Sequence, residues 1–200
     1  MSKKKWVIAG GSGDVGQSLC GLEELKDDTV IILTRNPNQK NKFKNKSIGD
    51  IDNKNKKDAI EYVYWDGKSG GDWETILSGD YTLLNLSGHN VADFPWTTKT
   101  KEKILNSRVA STRVLVEAVE RAAVKPRVFI NASAVGYYNN DTPKEVTEKS
   151  QKGTGFLSDV CHQWEECLNP LDAGALRMIV LRIGMVLSEK SGVLPLILLP

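Results

Sequence analysis

Glycines at 10, 13 and 16, in the run Gly10-Gly11-Ser12-Gly13-Asp14-Val15-Gly16, sit directly between a short apolar stretch and a helical pattern. That spacing is a variant of the fingerprint that receives the pyrophosphate of a dinucleotide. Gly10 permits a tight turn, Gly13 lets the phosphates approach the backbone, and Gly16 lets the helix pack closely on the strand. The N–H groups of Asp14, Val15 and Gly16, with the dipole at the helix start, then face the phosphates. A glycine triplet alone reads as a structural turn; the strand–turn–helix context gives it the chemical reading. Arg35 follows the apolar run Thr29–Thr34, about twenty residues beyond the glycines, where the ribose is read. A site for NAD would carry Asp or Glu there, whereas a guanidinium suits the dianionic 2′-phosphate of NADP. NADP(H) in preference to NAD(H) is therefore the expected cofactor. Lys40 and Lys42 are near enough in sequence to assist, although lysines in a polar loop are ordinarily just solvated.

These residues act together only if the chain brings them to one edge. Short β-branched runs alternate with longer helical patterns, the signature of parallel βαβ units. Lys5 to Ala9 reads as a first strand, Val15 to Leu25 as a helix, and Thr29 to Thr34 as a strand buried on both faces. Ile60 to Trp65 and Tyr81 to Leu86 read as strands three and four. The longest helical pattern runs from Thr98 to Ala123, with Ile104, Leu105, Val109, Leu115, Val116 and Val119 at helical spacing. Val128 to Asn131 gives strand five, Phe156, Val160, Trp164 and Leu168 mark another amphipathic helix, and Met178 to Ile183 gives strand six. Six strands with intervening helices predict an α/β Rossmann fold, a doubly wound parallel sheet in the order 3-2-1-4-5-6, with its ligand crevice at the carboxyl ends of the strands. That topology adds three stretches to the crevice. Asp66, after strand three, either accepts from the adenine amino group or only serves a turn. Leu86, Ser87 and Gly88, after strand four, either let the backbone pass close to the ribose and pyrophosphate or form a simple turn. Gly184, after strand six, flanks the nicotinamide.

The 200 residues, 40% hydrophobic and 26% charged with a formal net charge of +2, suit an ordinary soluble domain and favour no polyanionic partner. No run approaches the ~18 to 20 apolar residues that span a bilayer, so no membrane association is expected. Cys20, Cys161 and Cys167 make neither a metal pair nor a disulfide framework, and reduced thiols in a cytoplasmic protein are the plain reading. The segment 36–58 is very polar and lacks helical periodicity, so a long loop is expected in place of the usual helix. Its lysines, from Lys40 to Lys57, come with one aromatic, Phe43, and with Asp50, Asp52 and Asp58. Nucleic-acid binding would need stacking aromatics or a recognition element, so a solvated loop is expected.

Further along, Asn131-Ala132-Ser133-Ala134-Val135-Gly136-Tyr137-Tyr138, Cys161-His162-Gln163-Trp164-Glu165 and Leu181-Arg182-Ile183-Gly184-Met185-Val186-Leu187 follow the glycine motif, Thr34-Arg35-Asn36-Pro37 and Asn85-Leu86-Ser87-Gly88 in order. From about Trp6 to Pro200 the chain resembles the atypical extended short-chain dehydrogenase/reductases grouped as an epimerase family, the sugar-nucleotide epimerase subgroup of the NAD(P)-dependent epimerase/dehydratase superfamily. The resemblance implies an NADP-binding Rossmann domain, an epimerase or oxidoreductase activity, and a small-molecule substrate such as a nucleotide sugar. Extended members carry Tyr-x-x-x-Lys on the helix after strand five, where the tyrosine exchanges the proton during hydride transfer. With Glu165 as anchor, those positions fall on Leu157 and Cys161, and neither can perform that role; the subgroup itself lacks the pair. The serine of the usual triad is matched by Ser133, and the asparagine of the preceding helix by Arg108, which is assigned to the cofactor side.

Tyr137, next to Tyr138 and just past Ser133, is then the candidate acid, beside an arginine such as Arg108; the other reading is an aromatic packed on the cofactor. His162 is expected to be a surface residue, His89 lies nearer the crevice with its role open, and Cys161 is expected to be a small buried hydrophobe. The reading divides the chain into a Rossmann domain over 1–187 and, over 188–200, the start of a substrate-binding portion. The apolar end, Val193 to Leu199, suggests a truncated reading frame, or else a tail that docks on the domain or on a second copy as in a homodimer. Two functions remain: an NADP-dependent epimerase or reductase using Ser133 and Tyr137, and a non-catalytic NADP(H)-binding protein that responds to redox state. Fold alone does not choose between them.

Overall fold

Six runs rich in Val, Ile and Leu form one parallel sheet: β1 (Lys5–Ala9), β2 (Thr29–Thr34), β3 (Ile60–Tyr64), β4 (Tyr81–Asn85), β5 (Val128–Ala134) and β6 (Arg177–Ile183). Their order is β3-β2-β1-β4-β5-β6, the doubly wound order that the sequence predicts, and every neighbouring pair is parallel. The computed structural model describes residues 3–38, 60–138, 145–171, 174 and 176–187. The expected polar loop at 36–58, apart from its first residues, and the tail at 188–200 lie outside the described residues, as do Lys40 and Lys42.

β1 lies in the middle of the sheet, between β2 and β4. Val7, Ile8 and Ala9 are wholly buried, and Val30, Ile31, Ile32 and Leu33 nearly so, because both faces are covered. Alternate side chains enter different cores. Val7, Ala9, Leu33, Leu83 and Phe129 pack with Leu115, Val116 and Val119 of helix α2 (Thr98–Arg121) and with Leu168 and Leu171. Ile8, Val30, Ile32 and Leu84 pack on the other side with Cys20 of helix α1 (Asp14–Cys20). A third helix, α3 (Phe156–Glu166), joins β5 to β6 on the α2 side, burying Val160, Cys161 and Trp164.

α2 begins where Thr97 Oγ1 accepts the Thr100 N–H at 3.2 Å. It stops where Lys125 Nζ donates to the carbonyls of Val119, Glu120 and Ala122, just before Pro126. A cation on the last carbonyls satisfies groups that the helix itself leaves orphaned. No helix among the described residues is long and apolar enough to cross a membrane.

Three elements differ from expectation. The helix expected over Val15 to Leu25 divides into α1 and a 3-10 turn at Glu23–Leu25. Gly21 is the cause: glycine disfavours a helix interior by about 1 kcal/mol, and its N–H closes α1 on the Gln17 and Ser18 carbonyls, both at 3.1 Å. β5 runs on to Ala134, because β6 offers it a partner up to Ile183. Between β3 and β4 stands only a 3-10 segment, Asp72–Ile76, pinned by Trp73 against Trp65 with both indole N–H groups on the Ser69 carbonyl.

Parallel strands align their carboxyl ends along one edge. Gly10, Arg35, Asp66, Leu86 and Gly184 follow β1, β2, β3, β4 and β6 there, and Ser133 lies at the end of β5. The α1–β1 junction allows no side chain at position 16: a Cβ on Gly16 would lie 2.5 Å from Gly11 Cα. Gly16→Ala should therefore destabilise the domain by about 1–3 kcal/mol, the range for overpacking. Gly13→Ala, whose Cβ meets nothing nearer than the Gly10 carbonyl at 3.5 Å, should stay within about 0.5 kcal/mol. Urea denaturation of the two variants beside the parent checks both.

Candidate cofactor and active-site crevice

The turn after β1 is built of close backbone contacts. Gly10 has φ +74°, and a Cβ there would lie 2.7 Å from the Leu86 carbonyl carbon. Leu86 N–H in turn donates to the Ala9 carbonyl at 2.8 Å, so the exit of β4 is stitched to the exit of β1. Gly11, which sequence reasoning passed over, is also closely packed, though less tightly than Gly10: its Cβ would lie 3.0–3.2 Å from the Ile8 and Ile32 side chains. Gln17 Nε2 braces the turn by donating to the Ser12 carbonyl at 2.7 Å. The first bond of α1 runs from Gln17 N–H to the Gly13 carbonyl at 2.8 Å. The N–H groups of Asp14, Val15 and Gly16 therefore have no partner within the helix. Gly13 is exposed, and the space above it is open.

These features fit a dinucleotide. The backbone cradle exists only because positions 10 and 13 lack side chains, and it presents donors to an anion. Asp14 Oδ2 is buried without a hydrogen-bond partner, an acceptor that a ligand hydroxyl would satisfy. Arg35, just past buried Thr34, is exposed, and no hydrogen bond or ion pair ties its guanidinium to another described residue.

Other expected contacts are engaged elsewhere. Asp66 accepts from the N–H groups of Lys68 and Ser69 at 2.8 and 2.9 Å and from Ser69 Oγ at 2.5 Å; these bonds lower its proton affinity. Of its two sequence readings, the turn is the one whose hydrogen bonds are present. Ser87 N–H donates to Asn85 Oδ1 at 3.0 Å. Arg108 lies beneath Gly88, whose Cβ would be 3.0 Å from the guanidinium carbon. It stacks 5.1 Å over the Trp164 ring and donates to the carbonyls of His89 and Ile104. Gly184 faces open space.

The end of β5 holds a linked cluster of polar and charged side chains. Ser133 is directly opposite Arg182 of β6, and Glu165 of α3 spans both. Ser133 Oγ donates to Glu165 Oε1 at 2.5 Å. Arg182 grips the same carboxylate with Nε at 2.9 Å and Nη2 at 2.8 Å. Its Nη1 donates to Tyr138 Oη at 2.6 Å, and its guanidinium carbon lies 3.5 Å from the Tyr137 ring centroid. The Glu165 hydrogen bonds raise the proton affinity of Arg182 beyond its already high range. Tyr137 is anchored by its carbonyl, which accepts from Ser158 Oγ at 2.9 Å and Gly153 N–H at 2.8 Å.

The arginine beside Tyr137 is thus Arg182. The expectation of Arg108 fails because Arg108 is held on α2 against Trp164, whereas β6 delivers Arg182 across the register from Ser133. Leu157 and Cys161 do face this end of β5: the Cβ of a side chain at Gly136 would lie 3.5 Å from Leu157 and 3.9 Å from Cys161 Sγ. Burial is the main influence raising the Cys161 thiol's proton affinity, which fits a small hydrophobe. His162 is half-exposed beside Glu166, and His89 pairs with Asp93 at 2.8 Å.

The family model for the NAD dependent epimerase/dehydratase family matches residues 6–195. The chain belongs to that family. An epimerase family protein of Mycobacterium leprae is 35% identical over 190 residues, covering 94% of this chain and 54% of its own length. Among solved structures, a human epimerase family protein with NADPH superposes with a TM-score of 0.72 at 24% identity, over 97% of this chain and 58% of that one. A nucleoside-diphosphate sugar epimerase from Corynebacterium glutamicum gives a TM-score of 0.70 at 28% identity, over 98% of this chain and 37% of that one. The chain spans little more than half the length of the curated relatives it matches.

Sequence reasoning missed Glu165 and Arg182 as site residues. A signal was present: an arginine inside the apolar run Met178–Ile183 needs a partner if that strand is covered. Arg182 and Glu165 side chains are only 18% and 15% exposed. Removing the cation from a buried pair costs about 3–5 kcal/mol, and residual solvent reduces that here. Arg182→Met should therefore destabilise the domain by about 2–3 kcal/mol, whereas Tyr138→Phe, which loses one hydrogen bond, should cost about 1 kcal/mol. Urea titration of both variants tests the ranking.

Proposed function

We propose that the chain binds NADP(H) in preference to NAD(H) at the glycine turn, and that the crevice performs hydride transfer on a small-molecule substrate of the nucleotide-sugar class. The observation that carries the cofactor half is Arg35, exposed at the end of β2, where an NAD site would hold a carboxylate. The NADPH in the human relative's structure supports it. Asp14, Val15 and Gly16 N–H groups would meet the pyrophosphate, Leu86 to Gly88 would border the ribose, and Gly184 would flank the nicotinamide. When bound, the nicotinamide supplies or accepts the hydride.

The remaining work falls to side chains at the end of β5. Ser133 donates its proton to Glu165, which leaves its lone pairs available to accept from a substrate hydroxyl. Tyr137 lies beside it as the proton donor, with its ring braced by Arg182. Cys20, Cys161 and Cys167 are buried and form no disulfide, which suits a reducing, cytoplasmic setting.

One observation favours a second reading, a non-catalytic NADP(H)-binding protein that reports redox state. Leu157 and Cys161 face the site where the resemblance puts Tyr and Lys. The discriminating experiment follows deuterium from the nicotinamide C4 of NADPH into keto forms of nucleotide sugars, and from deuterated nucleotide sugars into bound NADP. Stereospecific transfer that Ser133→Ala slows supports the enzyme; tight NADPH binding with no transfer to any acceptor supports the sensor.

Arg35→Ala should weaken NADP by on the order of 1–3 kcal/mol, the range for a hydrogen bond to a charged group, and leave NAD unchanged. Gly13→Val should abolish cofactor binding while leaving thermal unfolding close to that of the parent, because its side chain enters the cradle and not the core. Titration calorimetry checks both; equal affinity of the parent for the two cofactors would overturn the NADP reading.

A further inference from the structure

Arg108 of α2 is a cation without a counter-charge. It forms no ion pair among the described residues, and burial is the main influence on its guanidinium, lowering its proton affinity. A cation withdrawn from water and left unpaired costs stability. The guanidinium is nevertheless held firmly. Its Nη1 donates to the carbonyls of His89 at 3.0 Å and Ile104 at 2.9 Å, and its carbon stands 5.1 Å from the Trp164 ring centre. That ring is fixed in turn, because the indole N–H donates to Thr112, one turn further along α2.

Both carbonyls use the same nitrogen. Nε and Nη2 have no hydrogen-bond partner among the described residues, and neither is sealed from solvent. Their N–H groups form the edge with which a guanidinium meets a two-oxygen anion side-on. That edge lies against the crevice: Gly88 is exposed, and a Cβ there would lie 3.2 Å from Nη2 and 3.3 Å from Nε. On the α3 side the Cys161 thiol acts on Arg108 and is itself influenced by Ser133. The free edge therefore lies between the exit of β4 and the end of β5. A carboxylate answers it better than a phosphate does. A carboxylate is planar and brings one charge to one cation. A terminal phosphate carries about −1.5 to −2, and the groups that touch Arg108 include no second cation.

We propose that the free edge of Arg108 is the anchor for a carboxylate, so that the small molecule received by the crevice is an acid. The inference deepens the proposed function and rests on it only in that a small substrate enters there. The resemblance puts Arg108 on the cofactor side; the unpaired edge assigns it to the substrate instead. A buried cation kept for a ligand stabilises the complex at the expense of the empty domain, so its removal should cost binding and not stability.

Propionate, its uncharged amide propionamide and inorganic phosphate are the probes, titrated into the isotope-labelled parent chain while NMR follows the arginine Nε–H signals. The Arg108 signal is identified by its loss in Arg108→Lys. Propionate should shift and saturate that signal at about one-tenth of the concentration that moves the signal of exposed Arg35, with NADPH present or absent. Propionamide should move neither. Arg108→Met, which removes the unpaired cation and keeps a long side chain against Trp164, should melt no lower than the parent. The proposal is overturned if the Arg108 signal responds no sooner than that of Arg35, or if phosphate saturates it before propionate does. NADPH that displaces propionate would also overturn it, by giving the guanidinium to the cofactor. A lower melting temperature in Arg108→Met, or its failure to fold, would overturn it as well, showing that the guanidinium is held for its bonds to the His89 and Ile104 carbonyls. NADPH titrated into the parent tests the cofactor reading separately: absence of binding would sink that reading and leave the propionate titration to decide this one.

Discussion

The side-chain amide of Asn85 is wholly buried at the end of β4 and is fully engaged. Its Nδ2 donates to Thr112 Oγ1 at 2.8 Å and to Asn131 Oδ1 at 2.7 Å, and its Oδ1 accepts the Ser87 N–H at 3.0 Å. Thr112 Oγ1 also accepts the Trp164 indole N–H at 2.8 Å. One cluster of polar atoms therefore ties β4, β5, α2 and α3 together immediately beneath the crevice. Each net hydrogen bond is worth only about 1 kcal/mol, but a buried donor left unpaired costs about 1–3 kcal/mol, so the cluster tolerates one arrangement far better than any other. Asn85 and Asn131 are register partners across the sheet, and a slip of β4 against β5 would part their two amides and leave buried polar atoms unpaired.

From that fixed floor the two halves of the crevice are built differently. On the β1–β2 side the shape is made by what is missing: glycines at 10 and 16 let backbone meet backbone at distances that no Cβ permits, and Gly11 leaves room for the Ile8 and Ile32 side chains. On the β5–β6 side the shape is made by charge, with Arg182 joining Ser133, Glu165 and both tyrosines through one guanidinium. A planar fork is required for that task, because it must meet a carboxylate edge-on and a ring face-on at once.

This difference explains what the sequence made legible. The glycine turn is local, and its spacing between a strand and a helix carries its meaning without knowledge of the rest. Strand order was equally readable, because apolar runs at βαβ spacing leave few topologies open. α1 was read too long, since periodicity continues past Gly21 while the backbone does not. The charged cluster was not legible. Glu165 and Arg182 meet only through the packing of α3 over β5 and β6, and nothing in the local pattern of either element states that register. The wrong partner was assigned to Tyr137 for the same reason: Arg108 and Arg182 are both arginines on elements flanking β5, and only the register separates them.

The charged cluster also constrains how the Ser133 hydroxyl works. Glu165 holds its proton at 2.5 Å, but both oxygens of that carboxylate are already gripped by Arg182. Transfer of the proton to Glu165 would neutralise one half of the Arg182 pair and leave the guanidinium, 18% exposed, without its counter-charge. The arrangement therefore favours a hydroxyl that stays protonated and is held in one orientation. Net proton exchange with a substrate then needs another carrier at the end of β5. Leu157 has no proton to give, and burial raises the proton affinity of the Cys161 thiol, which makes it a poor acid. The tyrosines beside Arg182 are the groups on that face with both a mobile proton and a fixed position, and the chemistry available to the crevice is set by what they can reach.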